Sequence, residues 1–245
     1  SVYRYLVRQP AWVSMWLQKN YQLLLLPEHY AILLEVMNHI VQIQQSGASN
    51  DDEALLEDLL LINNCQGDLF EELINIACSS SPSNSSTSSL FSVFSEIAKD
   101  DTALMSLLQY VSNRFESFSQ DSNNSNEQNT SSVLYNLFHL LLIMSKVDGF
   151  KDNFPDICSD SVLTVVCSHK YREHSSILIP CSKLFATLGD AMPNRTEHLI
   201  CFMLMSKKKK VISAALDLCA KLSPSAREDI MRYVEQAFDH AISSY

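Results

Sequence analysis

Glycine is scarce in this chain. Its 245 residues include only 4 glycines, where average usage would supply about 17. Phosphate-binding loops, hairpin turns and dinucleotide-binding fingerprints need backbone at positive φ or in close approach to a ligand, which glycine normally supplies. Gly47, Gly67, Gly149 and Gly189 all lie between apolar runs of helical spacing. The scarcity therefore argues against β-rich folds and phosphate-binding loops, and it favours an all-α fold.

Catalytic signatures and membrane-spanning runs are also missing. No G-x-x-x-x-G-K-[ST], G-x-G-x-x-G, G-x-S-x-G or H-E-x-x-H segment occurs, which argues against the nucleotide-binding, esterase and zinc-protease classes. Strictly apolar stretches such as residues 140–144 fall far short of the roughly 18 residues that a membrane span needs. No signal peptide opens the chain. We therefore expect neither an enzyme, nor a cofactor, nor a membrane segment.

Cysteine usage indicates the compartment. The 7 cysteines form no C-x-x-C pair, and most lie among apolar helical neighbours, which is typical of buried free thiols in a reducing cell interior. N-x-[ST] sequons would indicate secretion instead, but three of the four fall in Ser/Asn-rich tracts, where the pattern arises by chance. We expect an intracellular protein, cytoplasmic or nuclear. The sequons are Asn84, Asn123, Asn129 and Asn194.

Apolar side chains recur at every third or fourth position along nearly the whole chain, which is the period of an α-helix. The pattern predicts about eleven helices, paired at a spacing of roughly 35–45 residues. Residues 133–147 are apolar on nearly every side, so we expect this helix to be central and covered all round. After residue 100, the predicted helices are 102–118, 133–147, 157–167, 175–188, 195–206, 208–222 and 225–242, the last capped by Ser223 with Pro224 in its first turn.

Antiparallel helix pairs of this size resemble the armadillo/HEAT class of helical repeats. The resemblance is one of architecture, since no repeated consensus occurs in the sequence. An irregular helical domain is the alternative to a solenoid. Either arrangement is expected to form a single domain over residues 1–245. Because Ser1 leads directly into an apolar segment without an initiator Met, we expect the chain to be part of a longer protein.

Segments of other composition interrupt the helical pattern. Residues 79–89 and 119–132 are rich in Ser and Asn and contain too little apolar surface to repay ordering, so we expect mobile loops there. Residues 149–156 are predicted to be a connector. Serines in these loops, such as Ser119 before Gln120, are candidates for phosphorylation.

Charge is distributed unevenly. The chain carries a net charge of −10. Its first 118 residues contain five basic and fourteen acidic residues, a net charge of −9, whereas residues 195–232 contain eight basic and four acidic residues. The positive segment includes Lys207, Lys208, Lys209 and Lys210, here called the lysine tract. Clustered ammonium groups attract import receptors, phosphate or acidic partners, although a solvated turn between two helices is the alternative interpretation.

An aromatic face near the start of the chain is the leading partner-binding candidate. Trp12, Met15, Trp16 and Lys19 follow i, i+3, i+4 and i+7 spacing, so they lie along one face of a predicted helix. Large aromatic side chains dominate binding hot spots. The alternative is that this face is buried within the first helical pair.

Two further groups have weaker patterns. Cys158, Cys167, His169 and His174 include thiolate and imidazole ligands of the type that hold zinc, but their spacing is poor, and His198 with Cys201 has no second pair. We interpret these residues as core and connector residues and expect no metal. The acidic set Asp51, Asp52, Glu53, Glu57 and Asp58 either binds a basic peptide or caps a helix.

The sequence thus favours a non-catalytic scaffold that binds a partner helix or an extended peptide. The candidate contacts are Trp12, Trp16, Lys19, Lys207, Lys208, Lys209 and Lys210. An alternative is a nuclear module that contacts chromosomes or RNA through the basic C-terminal segment. A helical enzyme without a familiar motif is the third possibility.

Overall fold

The computed structural model describes residues 101–120 and 127–225, together with residues 71, 74, 75, 78, 91, 94, 95, 98, 99, 227, 228 and 230–232. This part of the chain contains helices and no strand, which confirms the predicted all-α class for it. The α-helices whose bounds the structure describes are α1 Asp101–Gln120, α2 Glu127–Met144, α3 Phe150–Ile157, α4 Ser159–Val166, α5 Ser175–Leu188, α6 Pro193–Leu204 and α7 Lys209–Ala220. Short 3-10 helices occupy His169–Tyr171 and Gly189–Ala191. By contacts the chain divides into two compact units, residues 1–110 and 111–245.

In the first unit, the buried side chains follow helical spacing. Phe91, Phe94 and Ala98 are almost completely buried at positions i, i+3 and i+7. The first half of α1 repeats the pattern, with Ala103, Leu104, Leu107 and Leu108 buried. The apolar period read from the sequence therefore corresponds to a packed face here.

Among the described helices of the second unit, α5 contacts the others most extensively. It contacts both α2 and α7, while α6 packs against α7 and also contacts α4. Aromatic rings fill the core: Phe115 and Phe138 meet edge to face at 5.4 Å, and Phe154 stacks on Phe150 at 5.2 Å and meets Phe185 edge to face at 6.4 Å. Offset and edge-to-face contacts of this kind are the arrangements that aromatic pairs prefer.

Helix α2 is buried on most of its surface but not on all of it. Leu134, Leu137 and Leu141 are completely buried. Tyr135 and His139, four residues apart on one face, are exposed, so the expectation that this helix is covered all round was wrong. The apolar composition still explains why the remaining faces pack so fully.

Residues 150–157 form α3, so the predicted connector over 149–156 was wrong. Phe150 and Phe154 are four residues apart and both fully buried, and a helical turn is what places them on the same side of the chain. Gly149 precedes α3 with φ of 80°, a conformation that glycine adopts without steric cost. Asn153 closes the first turn of α3, because its backbone and side-chain nitrogens both donate to the Gly149 carbonyl.

The Ser/Asn-rich tract at 119–132 is helical wherever it is described. Helix α1 continues through Gln120 and α2 begins at Glu127, whereas residues 121–126 and the other expected loop, 79–89, lie outside the described residues. Ser119 Oγ donates to the Glu116 carbonyl at 2.7 Å. Bonding to the preceding turn lets a helix accommodate serine, which composition alone did not show.

The other boundaries of the second half agree closely with the sequence pattern. Helix α5 begins and ends where it was predicted, while the ends of α6 and α7 differ from their predicted positions by one or two residues. A further helix begins at Pro224 directly after Ser223, as predicted. Asp190 Oδ1 accepts a hydrogen bond from the Ser223 amide at 3.0 Å, which fixes the start of this helix.

Candidate functional site

The lysine tract lies where α6 turns into α7. Lys207 and Lys208 are in the turn, and Lys209 and Lys210 are the first two residues of α7. All four lysines are exposed. Met205, at the beginning of the same turn, is 58% exposed, so a large apolar side chain stands beside the cations.

The Glu173 carboxylate holds this turn in place. Its Oε1 accepts a hydrogen bond from the Lys207 amide at 2.9 Å, and its Oε2 accepts one from Ser206 Oγ at 3.1 Å. Ser206 is buried, and its hydroxyl in turn accepts a hydrogen bond from the Lys208 amide at 3.1 Å. The turn is therefore ordered by three linked hydrogen bonds.

The same contacts change the acidity of Glu173. The hydrogen bond from the Lys207 amide, followed by that from Ser206 and the charges of Lys208 and Lys207, lowers the pKa of this carboxyl. Donors and cations favour the ionised form. Glu173 is thus favoured in its ionised form, and its negative charge stabilises the turn.

Glu173 also brings a second basic segment to the lysine tract. It belongs to the connector between α4 and α5, which carries Lys170 and Arg172 as well. Arg172 Cζ lies 5.5 Å from the ring centre of Phe202 on α6, and Lys170 Nζ lies 5.4 Å from that of Tyr171. We call Lys170, Arg172 and the lysine tract together the basic edge.

Sequence reasoning missed this juxtaposition. It placed the basic connector beside His169 and His174 and treated the lysine tract separately, because 34 residues separate Glu173 from Lys207. The only local signal was that each segment is basic. Their proximity follows from packing, since Arg172 reaches α6 and Glu173 reaches the turn that follows α6.

Local electrostatics at the start of α7 are unfavourable. The partial positive charge of a helix N-terminus favours acids and disfavours cations. Helix α7 nevertheless begins with Lys209 and Lys210, has no acidic residue in its first turn, and receives no side-chain capping hydrogen bond from Lys208. Sequences break local rules of this kind mostly at functional or strained sites.

The aromatic face remains a prediction. Trp12, Trp16 and Lys19, like the acidic set that begins at Asp51, lie outside the described residues.

The residues considered as zinc ligands differ in their burial. Cys158 is completely buried, and that burial, with a smaller contribution from Glu116, raises its pKa well above the ordinary value. Burial also raises the pKa of Cys167 to about 12. His169 and His198 are exposed. Within the described residues, no group of three or more His, Cys, Asp and Glu side chains is placed to hold a metal ion.

The described cysteines are all free thiols, as predicted. Cys78, Cys158, Cys181 and Cys219 are buried, and Cys167 and Cys201 are half-buried. Apolar burial keeps such thiols protonated and unreactive.

Other polar contacts in the second unit fasten helices together. Arg195 Nε and Nη2 donate to the two carboxylate oxygens of Asp160 at 2.8 and 2.9 Å, and Nη1 donates to the Pro155 carbonyl at 2.9 Å. Ser161 Oγ donates to Glu116 Oε1 at 3.0 Å and lies 2.7 Å from Ser112 Oγ. These contacts join α6 to α3 and α4, and α4 to α1.

Comparison with known proteins found no matching family model, no matching curated protein and no matching solved structure. Among the described residues, none of the helices combines the length and the apolar character that crossing a bilayer requires.

Proposed function

We propose that this chain is a non-catalytic protein-interaction scaffold built from stacked helical pairs of the armadillo/HEAT type. The helix contacts of the second unit support this arrangement. Helices α2, α5 and α7 form one row of successive contacts, and α4 and α6 lie in a second row. Two rows in which each helix contacts the equivalent helix of the next pair are what a helical-repeat stack produces.

The observation that carries the proposal is the composition of the basic edge. Its lysines are exposed, its turn is ordered by Glu173, and Met205 adds apolar surface beside them. A surface already ordered before binding loses less conformational entropy when a partner docks. Such a surface suits recognition.

Affinity purification of the full chain tests the proposal. Proteins recovered with the wild type are compared with those recovered by a variant in which all four lysines of the tract are alanine, and by Trp12→Ala/Trp16→Ala. Lys146→Ala/Lys151→Ala is the control, because both lysines are exposed and lie outside the basic edge. We expect a defined set of proteins to bind the wild type and the control and to be lost with one of the two test variants.

Two outcomes would reject the scaffold. One is that no protein is enriched over an unrelated helical protein carrying the same tag. The other is that the same proteins bind all variants equally, since recognition would then use neither candidate surface.

The second candidate function is a nuclear module that contacts DNA or RNA through the basic C-terminal segment. The exposure of all four lysines of the tract favours it. Counterion release makes such binding fall steeply as salt is raised. Failure of the full chain to shift DNA or RNA even at low salt would exclude this function.

A further inference from the structure

We infer that the basic edge binds an acidic segment of a partner protein, and that an apolar side chain of that segment sits against Met205. The inference rests on the proposed scaffold function and names the chemistry of the partner. It is carried by the way the fold assembles two connectors into one surface.

The basic edge is strongly positive. The two connectors and the first two residues of α7 contribute six cations, Lys170, Arg172 and the lysine tract, and one carboxylate, Glu173. Both oxygens of that carboxylate already accept hydrogen bonds from the turn. The basic edge therefore carries a charge of +5 in a chain of −10, so the remaining residues carry −15. Within the second unit, the residues outside the basic edge carry a net charge of −6, so an acidic ligand is attracted to the basic edge in preference to the rest of that unit.

Exposed apolar side chains accompany these charges. Met205 is 58% exposed, and Leu216 on the exposed side of α7 is 54% exposed. Lys209, Ser213 and Leu216 are all exposed at positions i, i+4 and i+7, so cations and apolar surface continue along one helix face. Methionine adapts its shape to different partners. A segment that carries both carboxylates and apolar residues matches this surface in both respects.

The same features favour a protein over a nucleic acid. A long polyanion would extend beyond the basic edge toward the other residues of the second unit, which carry a net charge of −6, whereas a short segment experiences only charges within about 8–10 Å. The amides of Lys207 and Lys208 already donate to Glu173 and Ser206, so they are not available to a phosphate. Exposed Met205 and Leu216 offer nothing to a sugar–phosphate backbone.

Fluorescence anisotropy with a defined probe tests the inference. The probe is a labelled peptide of about twelve residues, the length of α7, made of Glu and Asp with Leu at roughly every fourth position. Comparison ligands are the same peptide with Gln and Asn for the acids, the same peptide with Ser for Leu, and single-stranded DNA of about equal length. We expect the full chain to bind the acidic Leu-containing peptide most tightly and to lose this binding as salt is raised.

The key variant is Lys209→Glu/Lys210→Glu. We expect it to bind the peptide roughly tenfold more weakly, since each exposed charge pair contributes up to about a factor of five. Acids in the first turn also suit the dipole of α7, so this variant is expected to unfold at the same or a higher temperature than the wild type. Weaker binding therefore cannot result from loss of the fold.

Met205→Ser tests the apolar contact. Replacing Leu by Ser in the peptide is expected to weaken binding to the wild type roughly threefold and to have little effect on the Met205→Ser variant, because coupled changes at a contact are not additive. Lys146→Glu/Lys151→Glu is the charge-matched control. Lys151 lies on α3, which contacts Gly189–Ala191 beyond the far end of α5 from the basic edge, and its variant is expected to bind within twofold of the wild type.

Several results would overturn the inference: equal affinity for the acidic and neutral peptides, tighter binding of the DNA, or equal losses in the control and in Lys209→Glu/Lys210→Glu. Each of these leaves the scaffold proposal open to its own test. Partners lost only with Trp12→Ala/Trp16→Ala would still support a scaffold that uses the aromatic face. Absence of any partner would reject the scaffold while leaving the peptide measurement valid.

Discussion

Phe154→Ala is the substitution expected to damage the second unit most directly. Phe154 has no exposed surface and lies between two other rings, stacked on Phe150 and edge to face with Phe185. Replacing a buried Phe with Ala usually costs roughly 3–5 kcal/mol. Each favourable ring pair contributes roughly 0.5–1.5 kcal/mol beyond burial, so we expect a loss no smaller than the middle of this range, about 4 kcal/mol.

This loss of stability is measured by urea unfolding, monitored through the circular-dichroism signal of the helices. Against a typical domain stability of 5–15 kcal/mol, about 4 kcal/mol is a large fraction, and it corresponds to a melting temperature lower by roughly 10 °C. Phe154→Leu keeps most of the apolar volume and is expected to cost about 1–2 kcal/mol. The exposed Met205→Ser is expected to change stability by less than about 0.5 kcal/mol.

Hydrogen exchange then locates the effect. Amides of α3 and of α5 near Phe185 are expected to exchange faster in Phe154→Ala, because the ring cluster joins these two helices. A loss below about 1 kcal/mol would mean that the site is not a packed core position. Faster exchange confined to α7 would likewise refute the role given to the ring cluster.

Three further predictions concern individual polar groups. Since burial raises the pKa of Cys158, its thiol should resist iodoacetamide in the native protein and react once urea unfolds it; labelling of the native thiol would contradict its burial. Glu173→Gln should shift the NMR signal of the Lys207 amide near neutral pH. The folded pKa of Glu173 is depressed, so the stabilisation that its carboxylate contributes is present above the ordinary pKa of 4.5 and is lost as pH falls through the folded pKa. The Lys207 amide signal of the wild type should change over this pH range, and that of the variant should not. Arg195→Lys loses a two-pronged, partly exposed contact with Asp160 and should cost about 0.5–1 kcal/mol in urea unfolding. The cost should be smaller in an Asp160→Asn background, where the hydrogen bond to the Pro155 carbonyl is the main contact still lost.

The helical class followed from the sequence because its signals are local. The period of the apolar residues and the placement of the few glycines depend only on neighbours along the chain. Helices α5, α6 and α7 accordingly lie within two residues of their predicted bounds, and Gly149 and Gly189 stand at helix breaks with positive φ. Helix α3 was missed because Pro155 and Gly149 resemble connector residues, while the reason for its helix is burial of Phe150 and Phe154 in the ring cluster.

The candidate site depended on tertiary structure to a greater degree. Sequence alone identified the lysine tract as four clustered cations, and this followed from composition. That Glu173 orders the turn, that Arg172 lies over Phe202, and that Met205 remains exposed were decided only when α4, α5, α6 and α7 packed together. The paired residues are thirty or more positions apart in the chain, and helical periodicity contains no information on which side chains meet across such a separation.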